Sequence, residues 1–126
     1  MLIKPEFDTL SHLIVGCAIE VHRHLGPGLL ESIYESAMCI ELRAASLEFR
    51  RQVSLPLWYK GELLGEHRPD LIVGDQIVGE VKSIERLAPV HTAQMLTYLR
   101  VARLRVGLIL NFNSEVLHSG IKRVLL

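Results

Sequence analysis

The stretch Arg68-Pro69-Asp70-Leu71-Ile72-Val73-Gly74-Asp75-Gln76-Ile77-Val78-Gly79-Glu80-Val81-Lys82 decides how this chain is read. Two apolar runs, Leu71 to Val73 and Ile77 to Val78, flank a Gly-Asp turn signal, the pattern of neighbouring strands covered on both faces. Alternate residues of a strand share a face, so Glu80 and Lys82 point the same way. Asp70 sits on the neighbouring strand, and register decides whether it meets Glu80. A two-residue Gly74-Asp75 turn sets Asp70 opposite Gly79 and puts Glu80 on the wrong face. A three-residue turn, or a bulge at Gly79, sets Asp70 opposite Glu80. In that second case two carboxylates and an ammonium converge, and the Val81 carbonyl completes a hard-oxygen site suited to Mg2+ or Mn2+. Charges at the ends of buried strands are costly unless paired or metal-bound, which favours that case; the bland alternative is a surface Asp and a Glu-Lys pair, solvated and inert.

Upstream of this stretch, residues 8 to 24 carry Leu10, Leu13, Ile14, Cys17, Ala18 and Val21 at helical spacing, with Asp8 or Ser11 as candidate cap. Gly26-Pro27-Gly28 stops that helix. A second helix is expected over 30 to 45, with Ile33, Ala37, Ile40, Leu42 and Ala44 among its apolar positions. The period then changes to two. Residues 51 to 59 read as one strand, 62 to 73 as a second and 76 to 83 as a third. After Pro89 the helical period returns, with Met95, Leu99 and Ala102 on one stripe and His91, Gln94 and Tyr98 on another. Residues 106 to 112 and 121 to 126 read as strands. The order ααβββαββ describes an α/β domain with a central mixed sheet flanked by helices.

The 126 residues fit one compact domain, 1–126, and bury enough surface to fold without metal or disulfide staples. At 49% apolar content the class of disordered or acidic-tail proteins is excluded. Fourteen Lys and Arg balance fourteen Asp and Glu, so no global field attracts polyanions, and any nucleic-acid binding rests on local clusters or a bound cation. No run approaches the ~18 apolar residues of a membrane helix, and the N-terminal segment lacks the order of a secretory signal. Cys17 and Cys39 read as buried free thiols, which with the rest places the protein in the cytoplasm.

Three sets of residues together resemble a known group. Pro69-Asp70 followed by Glu80-Val81-Lys82 resembles the signature of the PD-(D/E)XK nuclease superfamily. Gln94 and Tyr98 on the following helix resemble the extra motif of its RecB-like members. Gly28, Glu31 and Tyr34 match the spacing that names the GxxExxY proteins, small bacterial proteins placed in that superfamily. The resemblance spans roughly residues 10 to 115 and implies a restriction-endonuclease-like αβββαβ core with an additional N-terminal helix. It also implies a metal-dependent nuclease that hydrolyses phosphodiesters of nucleic acid, with DNA as the expected substrate and Mg2+ or Mn2+ as cofactor. Asp70, Glu80 and the Val81 carbonyl would hold the metal and Glu31 would be an additional ligand. Lys82 would position water or stabilise developing charge. Gln94 and Tyr98 would orient the site or touch the phosphate, with Tyr34 on the substrate-binding side. A divalent ion supplies both the polarised phosphoryl oxygen and the acidified water such hydrolysis needs.

Basic help for a polyanion is expected from Arg100 and Arg103, with Arg105, Arg43, Arg50, Arg51 and Arg86 as further candidates, although such residues are most often ordinary solvated charges. A binding module without turnover is the rival reading, favoured by zero net charge, and a homodimer through edge strands fits either. His22 and His24 are two apart and do not share a helix face; His12, His67 and His118 are isolated. Gly26-Pro27-Gly28 lacks the lysine of a phosphate-binding loop, and Ser83 has no base beside it in sequence. Trp58 and Tyr59 can stack a base or cap the core, and the second is the expectation.

Overall fold

Gly26, at φ 67°, donates its backbone N–H to the His22 carbonyl and ends the first helix, because glycine enters the left-handed region without a Cβ penalty. The computed structural model describes residues 7–126. Its elements are α1 (Phe7–Leu25), α2 (Glu31–Ala44), β1 (Phe49–Arg51), β2 (Leu55–Tyr59), β3 (Glu62–His67), β4 (Leu71–Val73), β5 (Ile77–Lys82), α3 (Pro89–Ala102), β6 (Val106–Asn111) and β7 (Ile121–Leu125), with a 3-10 turn at Leu117–Gly120. Five strands form one mixed sheet in the order β1-β4-β5-β6-β7, parallel only between β5 and β6, and β2-β3 form a separate hairpin. The β5–α3–β6 crossover forces that parallel pair. The order α2-β1-β4-β5-α3-β6 is the expected restriction-endonuclease-like core, with α1 in front, β7 behind and the hairpin inserted between β1 and β4.

The expected first and second strands are therefore each divided. Residues 51 to 59 break at Gln52, whose φ of 51° cannot continue a strand. Residues 62 to 73 break at Arg68-Pro69-Asp70, where proline has no N–H for a ladder. Val53, Leu55, Leu57 and Tyr59 alternate right after the first break, which masks it, whereas Pro69 marks the second.

One core lies between the sheet and α1/α2, and includes Leu10, Ile14, Tyr34, Met38, Leu42, Leu71, Val73, Val81, Leu108 and Phe112. A smaller one lies under α3, with Leu55, Ile72, Val78, Met95, Tyr98, Leu99 and Ile109. A Cβ at Gly107 would collide with Met95, so glycine there lets α3 lie close on β6. Three expectations fail at side-chain level. Ile33 and Ile40 of α2 are exposed, and Tyr34, Met38 and Cys39 take the buried stripe beside Leu42. Ser11 lies buried inside α1 rather than capping it, while the Asp8 side chain lies outside the described residues. Trp58 and Tyr59 are exposed and do not cap the core. Cys17 and Cys39 are buried free thiols, held above the ordinary thiol range chiefly by burial. Among the described residues no helix is long and apolar enough to cross a membrane.

Candidate active site

The turn between β4 and β5 settles the register. Gly74, Asp75 and Gln76 form a three-residue connection, with Gly74 and Asp75 both at positive φ and the Gln76 N–H bonded to the Val73 carbonyl at 3.0 Å. Leu71 faces Gly79, Ile72 faces Val78 and Val73 faces Ile77, so Asp70 falls opposite Glu80 without a bulge at Gly79. The two carboxylates interlock through the backbone: the Asp70 N–H donates to Glu80 Oε1 at 2.7 Å, and the Val81 N–H donates to Asp70 Oδ2 at 2.8 Å. Ile72 and Val78 belong to the core under α3, so by parity Glu80 and Lys82 lie on that face too. Lys82 Nζ stands 3.8 Å from Glu80 Oε2.

Burial is the main reason both carboxyls are hard to ionise. It pushes Asp70 up to about 6, helped by neighbouring Glu35 and opposed by the Val81 N–H. Glu80 rises to about 8, again first by burial and then by the charge of Asp70. Lys82 is too far for a short charge-assisted bond and offsets only part of this. The Tyr98 hydroxyl is pushed up to about 12 by burial and by the charges of Glu80 and Asp70, with a hydrogen bond from Gln94 acting against them. Tyr98 therefore stands near the two carboxylates with Gln94 bonded to it, but Tyr98 is also a core residue. A groove of about 480 Å3 opens next to Lys82, lined by His67, Val90, His91, Gln94 and Thr97. His91 Nδ1 accepts the Ala88 N–H at 2.8 Å, so in the neutral ring the proton is on Nε2.

Sequence reasoning missed the support behind Asp70. One amide group of Gln52 donates to Asp70 Oδ1 at 3.1 Å and to Glu35 Oε1 at 2.8 Å, using both its protons. Arg51 holds the other Glu35 oxygen with two donors, at 3.0 and 2.8 Å. Glu35 lies four residues after Glu31, a spacing visible in the sequence. Arg51 was counted with the basic candidates for a polyanion and is instead committed to this ion pair.

Residues of the Gly28-Glu31-Tyr34 motif act on the loop that follows β5. Glu31 Oε2 accepts the Ser83 N–H at 3.0 Å, and the Ser83 hydroxyl donates to the Leu29 carbonyl at 2.6 Å. Tyr34 is 0% exposed, stacks on Phe112 with ring centres 4.6 Å apart, accepts the Leu29 N–H and donates to the Gly26 carbonyl. A residue so enclosed offers a substrate no surface, so Tyr34 is a fastener of the helix-linking loop, not a binding group. Buried Asn111 holds the loop after β5, accepting the Ile84 N–H and donating to the Ile84 carbonyl. Arg100 and Arg103 are exposed at the far end of α3; Arg100 reaches Thr97, and Arg103 occupies the left-handed position after the helix. Arg50 pairs with Asp75, and Arg43 lies over Phe49.

Asp70, Glu80 and the Val81 carbonyl are the residues that could hold a metal. Their donors are hard oxygens, and Mg2+ commonly takes one or two carboxylates and keeps its waters. Two carboxyls raised by enclosure and mutual repulsion suit a divalent charge, so the donor set fits such an ion. Among the described residues no three His, Cys, Asp or Glu side chains are gathered into a ready ligand set. Glu31 is bonded to Ser83 and is not drawn into a third-carboxylate position.

No curated protein and no solved structure matches the chain on comparison. A family model described as PD-(D/E)XK nuclease superfamily matches residues 8–124. With nearly the whole chain covered, and with Glu80 and Lys82 on β5 and Asp70 at the start of its partner strand β4, the chain belongs to the PD-(D/E)XK nuclease superfamily.

Proposed function

We propose that this chain, as one domain over 1–126, is a Mg2+- or Mn2+-dependent hydrolase of phosphodiester bonds in nucleic acid, with DNA as its substrate. The carrying observation is the Asp70–Glu80 pair, interlocked through the Asp70 and Val81 N–H groups with Lys82 alongside. In this reading Asp70, Glu80 and the Val81 carbonyl hold the ion, and Glu31 contributes through the Ser83 loop or through a metal-bound water. The ion supplies a Lewis acid and an acidified water. Lys82 orients the attacking water and offsets charge growing on the phosphorus oxygens. Gln94 and Tyr98 hold the carboxylates in place and face the phosphate, and Arg100 and Arg103 extend the surface toward the polyanion. The Gly28, Glu31 and Tyr34 spacing supports membership of the bacterial GxxExxY group. The two buried free thiols suit a reducing cytoplasm.

Cleavage of single-stranded, double-stranded and branched DNA and of RNA, with Mg2+ or Mn2+, tests this. Lys82→Ala should abolish cleavage and leave the thermal melt near that of the parent chain; undiminished cleavage by that variant sinks the assignment. The second reading, a nuclease-fold module that binds nucleic acid or protein without turnover, is favoured by the zero net charge and by the lack of a gathered three-ligand set among the described residues. Calorimetric titration with Mn2+ separates the two, because a pure scaffold has no site that depends on Asp70 and Glu80. Light scattering tests a homodimer.

A further inference from the structure

The β2-β3 hairpin stands apart from the five-stranded sheet. Its base is anchored by buried Leu55 and by His67, whose ring meets Tyr98 edge-on at 5.8 Å. Its tip is apolar and open: Trp58 is 63% exposed, Tyr59 58%, Leu63 53% and Leu64 67%. Register places Trp58 opposite Leu63 and Tyr59 opposite Glu62, and an irregularity at Leu57/Trp58 leaves Leu64 with no partner. Trp58 and Tyr59 are consecutive, so one ring lies on each face of the ribbon. The turn is Lys60-Gly61, both at positive φ, the geometry of a tight two-residue hairpin. The Lys60 ammonium lies 5.4 Å from the Tyr59 ring, while exposed Glu62 stands opposite Tyr59, so the tip is aromatic with one charge of each sign.

This tip is fixed relative to the carboxylates. Strand β3 runs into Arg68-Pro69-Asp70, and His67 lines the same groove as Lys82. Leu63 precedes Asp70 by seven residues, at most about 24 Å of extended chain, which corresponds to roughly seven nucleotides of a stacked strand.

Resting on the nuclease reading above, we infer that the hairpin is a stacking finger for unpaired bases, and that the substrate is a single-stranded or frayed nucleic acid running from the Trp58 ring to the Lys82 groove. A second copy of this chain is the other candidate occupant. The four exposed side chains offer roughly 500 Å2, short of the ~800 Å2 each partner of a stable dimer usually buries. Base stacking needs only an open ring face held on a rigid support, and that is what Trp58 supplies.

Trp58 is the only tryptophan, so its emission reports the proposed contact directly. The full chain carrying Lys82→Ala, which blocks turnover, is titrated in Mg2+ with labelled single strands of DNA and of RNA about 20 nucleotides long, chosen to exceed the span above. Saturable quenching of Trp58 by either single strand, and much less by a blunt duplex, is the expected result. Trp58→Ala should then weaken binding, read by anisotropy, about tenfold, the effect of one lost base stack, whereas Trp58→Phe should stay within about threefold. Both variants should fold, because the side chain is solvent-facing. Unchanged Trp58 emission on binding, equal affinity of Trp58→Ala, or no binding of any single strand overturns the inference. So does a dimer, seen by sedimentation, that Trp58→Ala dissociates. Hydrolysis of bis(4-nitrophenyl) phosphate by the Lys82-containing chain with Mn2+ reads the carboxylate site alone. Its absence counts against the nuclease reading, while the quenching result still decides the finger.

Discussion

Replacing Glu80 by Gln removes one negative charge from the site and keeps an oxygen for the Asp70 N–H. Folding raises this carboxyl from an ordinary 4.5 to about 8, mainly through burial. The native state therefore holds the proton more tightly than the unfolded chain does. Stability attached to Glu80 is intact below about 4.5, falls as pH rises, and is fully lost above about 8. At ~1.4 kcal/mol per pH unit the loss has a ceiling near 5 kcal/mol, and local relaxation and water access bring the expectation to about 2–4 kcal/mol. Glutamine resembles the protonated carboxyl, so Glu80→Gln should match the parent near pH 5 and exceed it at pH 9. For a domain of this size that is a rise in Tm of roughly 6–15 °C at pH 9. Calorimetric or circular-dichroism melts in EDTA at both values read it. Saturating Mn2+ at pH 9 should then stabilise the parent and leave Glu80→Gln unmoved. A difference in Tm that is the same at pH 5 and pH 9 would refute the reasoning, because it would mean that Glu80 is not held neutral by its surroundings.

Three further outcomes follow from the same geometry. Gln52→Ala frees Asp70 Oδ1 and should weaken Mn2+ binding roughly tenfold, the usual cost of losing a group that orients a ligand, with the fold retained; titration calorimetry measures it. Tyr34→Phe keeps the stack on Phe112 but deletes the bonds to Gly26 and Leu29, and should lower stability by about 1–2 kcal/mol in urea melts. Asn111→Leu strands the Ile84 N–H and carbonyl and should cost about 2–4 kcal/mol. Because that loop also carries Ser83, proteolysis there should accelerate.

Much of the site was legible in local pattern. Glu80 and Lys82 are set by strand alternation, and Gln94 and Tyr98 by helical spacing, so each falls on its expected element, whereas Asp70 stands one residue before β4. The choice between two registers was not legible, since a Gly-Asp turn admits loops of two or three residues, and packing on both faces of β4 and β5 selects the longer one. Glu35 was legible only as a partner of Glu31 on one helix face. Its link to Asp70 through Arg51 and Gln52 required β1 to be laid beside β4, a contact between segments about 20 residues apart.

The sequence by itself determined the element types, the helix stop at Gly26, the apolar strands, and the acidic and basic groups available at their ends. These follow from periodicity and backbone chemistry, which act over a few residues. Tertiary structure alone decided that Tyr34 is a buried fastener, that Arg51 serves Glu35, and that Trp58 and Tyr59 face solvent. The physical reason is common to all three. Alternation tells which residues share a face, but only the arrangement of β2-β3 outside the main sheet and of α2 against Phe112 determines whether that face meets protein or water.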